Sequence, residues 1–122
     1  MQINVQTKSG IPIYEQIERQ IKEMIIRGEL KESELLPSIR ALAADIKISV
    51  ITVKRAYEDL EKEGMIYSVH GKGFYVDNPD TQYMKEKATV GMEERLAIWV
   101  EEAQKSGMSK DEAMDMLDIL WD

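Results

Sequence analysis

"LLPSIRALAADIKISVITVKRAYEDLEKEGMIYSVHGKGFYV", residues 35–76, runs two helical patterns and one strand pattern together with almost no intervening loop. Pro37 stands near a helix opening, and Ile39, Leu42, Ala43 and Ile46 follow at helical spacing. The tight connection "KIS" comes next, ending on Ser49, a residue suited to cap a further helix. In that helix, predicted over roughly 50–63, Val53, Ala56, Tyr57 and Leu60 fall at i, i+3, i+4 and i+7 and make a core stripe. The same spacing puts Ile51, Lys54, Arg55 and Glu58 on the opposite, outward stripe. Gly64 closes the helix, and "MIYSV" and "FYV" then flank "HGKG", which reads as a two-stranded hairpin with a glycine-containing tip.

Working outward toward the N-terminus, "IPIYEQIERQIKEMIIRGEL" predicts a first helix. Pro12 suits its first turn, Ile13, Ile17, Ile21, Met24 and Ile25 form its apolar face, and Gly28 stops it. The order helix, helix, short turn, helix, hairpin is that of a winged helix-turn-helix, mainly α with a small β-hairpin. Toward the C-terminus, Asn78 and Pro79 are expected to open a fourth helix. Met84, Ala88, Met92, Leu96, Trp99, Val100 and Ala103 keep helical spacing as far as "KSG". Gly91 interrupts it at about 1 kcal/mol against Ala, which allows a break there. Ser109 and Glu112 match a capping box for a last helix carrying Met114, Met116, Leu117, Leu120 and Trp121. The expected division is residues 1–78 as the winged domain and 79–122 as a helical tail.

Charge sharpens the question of what the outward stripe does. The 122 residues carry a formal net charge of -7, which by itself argues against a nucleic-acid partner. The acid is unevenly placed: residues 1–80 have 11 Lys/Arg against 13 Asp/Glu, whereas residues 81–122 have 5 against 10. Attraction to phosphate is screened over about 10 Å at ordinary salt, so local cations decide binding. With no cysteine there is no disulfide or thiolate metal site, and the single histidine, His70, cannot build a multi-histidine cluster. No nucleophile–base pair is visible either, so the chain is expected not to be an enzyme and to need no cofactor. No apolar run reaches the length of a membrane span and the N-terminus has no signal-peptide pattern, so the expected location is cytoplasmic.

An α-helix fits the major groove of B-DNA, and in a helix-turn-helix the second helix of the pair meets the base edges at its N-terminal end. On that geometry Val50, Ile51, Thr52, Lys54 and Arg55 face the groove. Lys54 or Arg55 would donate to guanine, and the apolar groups would touch thymine methyls. Ser38 and Arg40 would hold phosphates at the start of the preceding helix. At the hairpin tip, Gly71 allows close approach while Lys72 and His70 reach the adjacent minor groove. Taken singly, each of these residues is more often plain solvated surface or a helix cap; their combination on one domain favours nucleic acid. The tail has a second expectation. Met84, Met92, Leu96, Trp99, Val100, Met114, Leu117, Leu120 and Trp121 exceed what two helices bury alone, and a second copy of the chain would cover them.

Leu-Pro-Ser-x-Arg at 36–40, Thr-Val-x-x-Ala at 52–56, Leu-Glu-x-Glu-Gly at 60–64 and Gly-Lys-Gly at 71–73 occur in order. With them, residues 10–78 resemble the winged-helix DNA-binding domain of the GntR family of bacterial transcription regulators. The short two-helix tail looks like that of the YtrA subfamily, whose members dimerise through a small segment and often repress genes beside those for ATP-binding-cassette transporters. The resemblance implies phosphate and base contacts at Ser38, Arg40, Ser49, Val50, Ile51, Thr52 and Lys54, and wing contacts at His70 and Gly71. Val50, Ile51, Lys47 and Phe74 depart from the residues usual at their positions, which points to a site read partly through thymine methyls. The sequence therefore predicts a homodimeric, sequence-specific repressor on double-stranded DNA with a pseudo-palindromic operator. A small-molecule effector is compatible with this, though no pocket domain for one is legible. The rival is a winged helix used as a protein-interaction module.

Overall fold

The computed structural model describes residues 1–78 and 81–122 and divides into two compact units, Met1–Thr81 and Gln82–Asp122. In the first unit the order is α1 (Ile13–Ile26), α2 (Ile39–Ile46), α3 (Val50–Lys62), β1 (Ile66–Val69) and β2 (Gly73–Val76), a winged helix-turn-helix. α3 is the hub, packing on α1, α2 and β1. Its stripe Val53, Ala56, Tyr57 and Leu60 is wholly buried, joined by Ile17, Ile21, Met24 and Ile25 of α1 and by Leu42 and Ala43 of α2.

Each helix boundary has a local chemical cause. Pro12 stands one residue outside α1, as its N-cap, because its φ of -53° suits the entry while its ψ of 143° does not continue the helix. Ser38 Oγ accepts from the Ala41 N–H at 3.0 Å and starts α2. α2 ends at Lys47, which takes a left-handed φ of 58° so that the chain turns at once into Ser49. An L-residue pays roughly 1–2 kcal/mol for that conformation, and here it leaves only three residues between the two helices.

The hairpin pairs β1 and β2 antiparallel, with Ile66 opposite Val76 and Val69 opposite Gly73. It is not an isolated ribbon. Residues 33–36 run along the other edge of β2: Ser33 N–H donates to Val76 O at 2.8 Å, Val76 N–H to Glu34 O at 2.9 Å, and Leu36 N–H to Phe74 O at 2.9 Å. A single bridge, Leu35 to Tyr75, marks this third short pairing, which the sequence did not announce. It satisfies backbone groups on β2 and ties the hairpin to the segment entering α2.

The N-terminal segment is held by side chains in place of a strand partner. Gln16 accepts from Gln6 N–H and donates to Gln6 O and Ile11 O, and Gln20 exchanges the same pair of bonds with Asn4. Two glutamines four residues apart on α1 thus imitate one edge of a sheet and seat Ile3 in the core.

The second unit is a helical pair, α4 (Thr81–Lys105) and α5 (Lys110–Trp121). α4 runs unbroken through Gly91, and the expected opening at Pro79 lies outside the described residues. Ser109 and Glu112 form the capping box the sequence predicts. No described helix is long and apolar enough to cross a membrane.

Candidate nucleic-acid interface

Two non-local braces fix how the helix-turn-helix presents α3. The Tyr57 hydroxyl, fully buried, donates to Pro37 O at 2.7 Å and so anchors α3 to the residue that leads into α2. Burial pushes the Tyr57 phenol well above its usual range, which favours the protonated form that donates. Its ring meets Phe74 of β2 edge-on at 5.1 Å, linking α3 to the hairpin as well. On the far side, Glu61 Oε2 accepts from Ser68 N–H at 2.9 Å and Ser68 Oγ–H at 2.6 Å, clamping β1 to the last turns of α3. Recognition helix and wing are therefore one braced body. Neither brace is visible as a periodicity; only the Glu in "LEKEG" and the Tyr in the core stripe hinted at them.

At the N-terminal turn of α3, Ser49 Oγ accepts from Thr52 N–H at 3.2 Å and lies 2.8 Å from Thr52 Oγ1. These two hydroxyls face each other. Beside them Val50 and Ile51 project into solvent, Ile51 with 80% of its surface exposed. One turn on, Lys54 is exposed and its Nζ is 3.8 Å from Glu58 Oε1, a surface pair too weak to hold it. Arg55 is better held, with its guanidinium 3.7 Å above the centre of the Tyr14 ring and its Nε 4.0 Å from Asp59. Stacking and pairing together aim Arg55 toward α1, while Lys54 stays movable.

Ser38 and Arg40, at the opening of α2, are exposed, and Arg40 makes no ion pair among the described residues. At the hairpin tip His70, Gly71 and Lys72 are all exposed. Gly71 and Gly73 have φ of 76° and 126°, values an L side chain rarely adopts, and a Cβ on Gly73 would also press to 3.4 Å on Leu35. The tip is thus a glycine-built turn offering a lysine and a histidine to solvent.

In the helical pair the apolar residues singled out in the sequence are uncovered. Leu96, Met92, Val100, Met114, Leu117, Leu120 and Trp121 are all exposed, Trp121 to 81%, while Met84 and Trp99 are half-buried. Between α4 and α5 lies a groove of about 550 Å³ lined by Leu96, Trp99, Val100, Ala103, Met114 and Leu117 among others.

A braced helix-turn-helix with a cationic outer face and a basic wing defines a DNA-binding transcription regulator. Residues 13–76 match the model for bacterial regulatory proteins of the gntR family. The chain belongs to that family and within it is YtrA-like. It is 37% identical over 107 residues to the HTH-type transcriptional repressor YtrA of Bacillus subtilis (strain 168), covering 87% of this chain and 82% of that protein. The solved structure of YtrA from Sulfolobus acidocaldarius, a GntR-family transcription factor, superposes with a TM-score of 0.62 at 38% identity, covering 78% of this chain and 97% of that one. The DNA-binding domain of AraR in complex with operator ORX1 superposes at TM-score 0.56 and 26% identity, covering 62% of this chain and 95% of that one. Members of this family regulate transcription and are not enzymes.

Proposed function

We propose that two copies of this chain, joined through α4 and α5, bind a pseudo-palindromic operator and repress transcription from the bacterial cytoplasm. The observation that carries this reading is the division of α3 into one face lost entirely in the core and another that is wholly solvent-facing and bears Lys54. Arg40 and Ser38 take phosphates at the start of α2. Ser49, Val50, Ile51, Thr52 and Lys54 enter the major groove, with Arg55 at its border, and His70, Gly71 and Lys72 follow the neighbouring minor groove. The repressor names of the relatives and the operator complex of AraR support the same reading.

The dimer rests on apolar residues of the helical pair, Met92, Leu96, Val100, Met114, Leu117, Leu120 and Trp121 exposed and Met84 and Trp99 half-buried. Exposed apolar patches of this extent mark interaction sites, and an obligate homodimer interface resembles a core cut in half. Two-fold symmetry of the protein is then mirrored in the operator. A fluorescence-anisotropy titration against salt tests the reading. Binding is expected to weaken steeply, with log K falling by about 0.9 per log salt for each phosphate neutralised. Binding that ignores salt and duplex sequence would point to a protein partner instead.

A further inference from the structure

The groove-facing tip of α3 is poor in free hydrogen-bonding groups. Ser49 and Thr52 engage each other at 2.8 Å, and Ser49 also caps the Thr52 N–H. What remains outward in that first turn is Val50, 45% exposed, and Ile51, 80% exposed, more than any other large apolar side chain of residues 1–78. A single exposed isoleucine is ordinary surface. Two adjacent apolar side chains, at the one helical turn that the brace from Tyr57 to Pro37 fixes for groove entry, form a shaped contact. In the major groove the only apolar group on a base edge is the C5-methyl of thymine, and apolar side chains read it. Cytosine and the purines lack that methyl and present polar groups that Val50 and Ile51 would desolvate without pairing.

We propose that Ile51, with Val50 beside it, determines specificity by packing on thymine C5-methyl groups in each half-site, and that Lys54 supplies the polar base contact there. This rests on the DNA-binding reading above. Lys54 suits that part because its exposed pair with Glu58, at 3.8 Å, is easily given up for a guanine. Arg55, stacked on Tyr14, stays near the phosphates.

The test takes a duplex that the full-length chain selects from a random pool and replaces each thymine in turn by uracil. That change removes the methyl and leaves every hydrogen-bonding group in place. The expected result is at least one thymine per half-site whose replacement weakens binding about fourfold, the equivalent of roughly 0.8 kcal/mol for one methyl taken out of water. Ile51→Ala should bind the thymine duplex more weakly yet lose its sensitivity to uracil at that same position. Because Ile51 touches the core so little, circular dichroism should show this variant as helical as the parent. Tight selected binding with no uracil-sensitive position would overturn the inference and leave DNA recognition standing. So would an Ile51→Ala variant that remains as uracil-sensitive as the parent. Failure to select any duplex would instead overturn the DNA reading beneath it.

Discussion

Glu18→Gln probes the most unusual electrostatic arrangement in the winged domain. Glu18 lies on α1 with 8% of its surface exposed, and its Oε1 has no hydrogen-bond partner when the group is read as a carboxylate. Burial, a hydrogen bond to Asp59 and the Asp59 charge raise its pKa from the ordinary 4.5 to about 7; Lys22 opposes this and Glu63 adds to it. Protonated, Glu18 has a hydrogen to share with Asp59. A carboxyl with a raised folded pKa makes the native state hold more protons than the unfolded chain between pH 4.5 and 7. Stability therefore falls as pH rises through that window.

The upper limit is about 3 kcal/mol, from 1.36 kcal/mol for each pH unit separating the two values. Asp59 is about a third exposed and Glu63 about half, so water screens the cluster and about 1–2 kcal/mol is the expected effect. Glutamine keeps the shape and the donor to Asp59 but cannot ionise. Urea denaturation followed by far-UV circular dichroism, at fixed protein concentration, should find parent and Glu18→Gln alike at pH 4.5. At pH 8 the variant should be more stable by about 1–2 kcal/mol. A difference that stays constant with pH, or a variant less stable than the parent at pH 8, would refute a shared proton between α1 and α3.

Other substitutions separate the functions assigned to individual side chains. Arg40→Ala should weaken all duplexes alike and reduce the salt slope by about 0.9, whereas Lys54→Ala should cost roughly 1–3 kcal/mol and relax preference at one base pair, both read by gel shift. Tyr57→Phe removes only the hydroxyl bonded to Pro37 O, and should cost about 1 kcal/mol of stability in urea titrations by taking the donor from a half-buried carbonyl. Leu117→Glu, in the apolar face of α5, should leave the chain monomeric in sedimentation velocity where the parent sediments as the proposed dimer, with the winged domain still folded.

The parts of this fold legible in the sequence are those set by local periodicity and capping. Val53, Ala56, Tyr57 and Leu60 announce both the core and, by default, the outward position of Ile51 and Lys54. Ser38, Ser49 and the Ser109–Glu112 box mark helix starts by a chemistry that spans three residues. What escaped is non-local. Residues 33–36 carry no alternating pattern, because their pairing with β2 is one bridge long. Gln16 and Gln20 look like ordinary polar helix residues until the N-terminal segment lies beside them. Glu18 reads as a solvated helix residue, yet Asp59 and Glu63 come from 41 and 45 residues further along the chain. Of the DNA-facing candidates, periodicity anticipates the exposure of Ile51, Lys54 and Arg55, whereas Thr52 is half-buried; that Arg55 stacks on Tyr14 while Lys54 is loosely held depends on how α1 crosses α3.

Symmetric sequence recognition by two copies of the chain underlies the proposed function. Repeated selection of bound duplexes from a random pool by the full-length chain tests it most directly. Two inverted half-sites at a fixed spacing, each containing thymine, with two chains per duplex, is the predicted outcome. Enrichment of a single unsymmetrical site bound by one chain, or no enrichment at all, would contradict it.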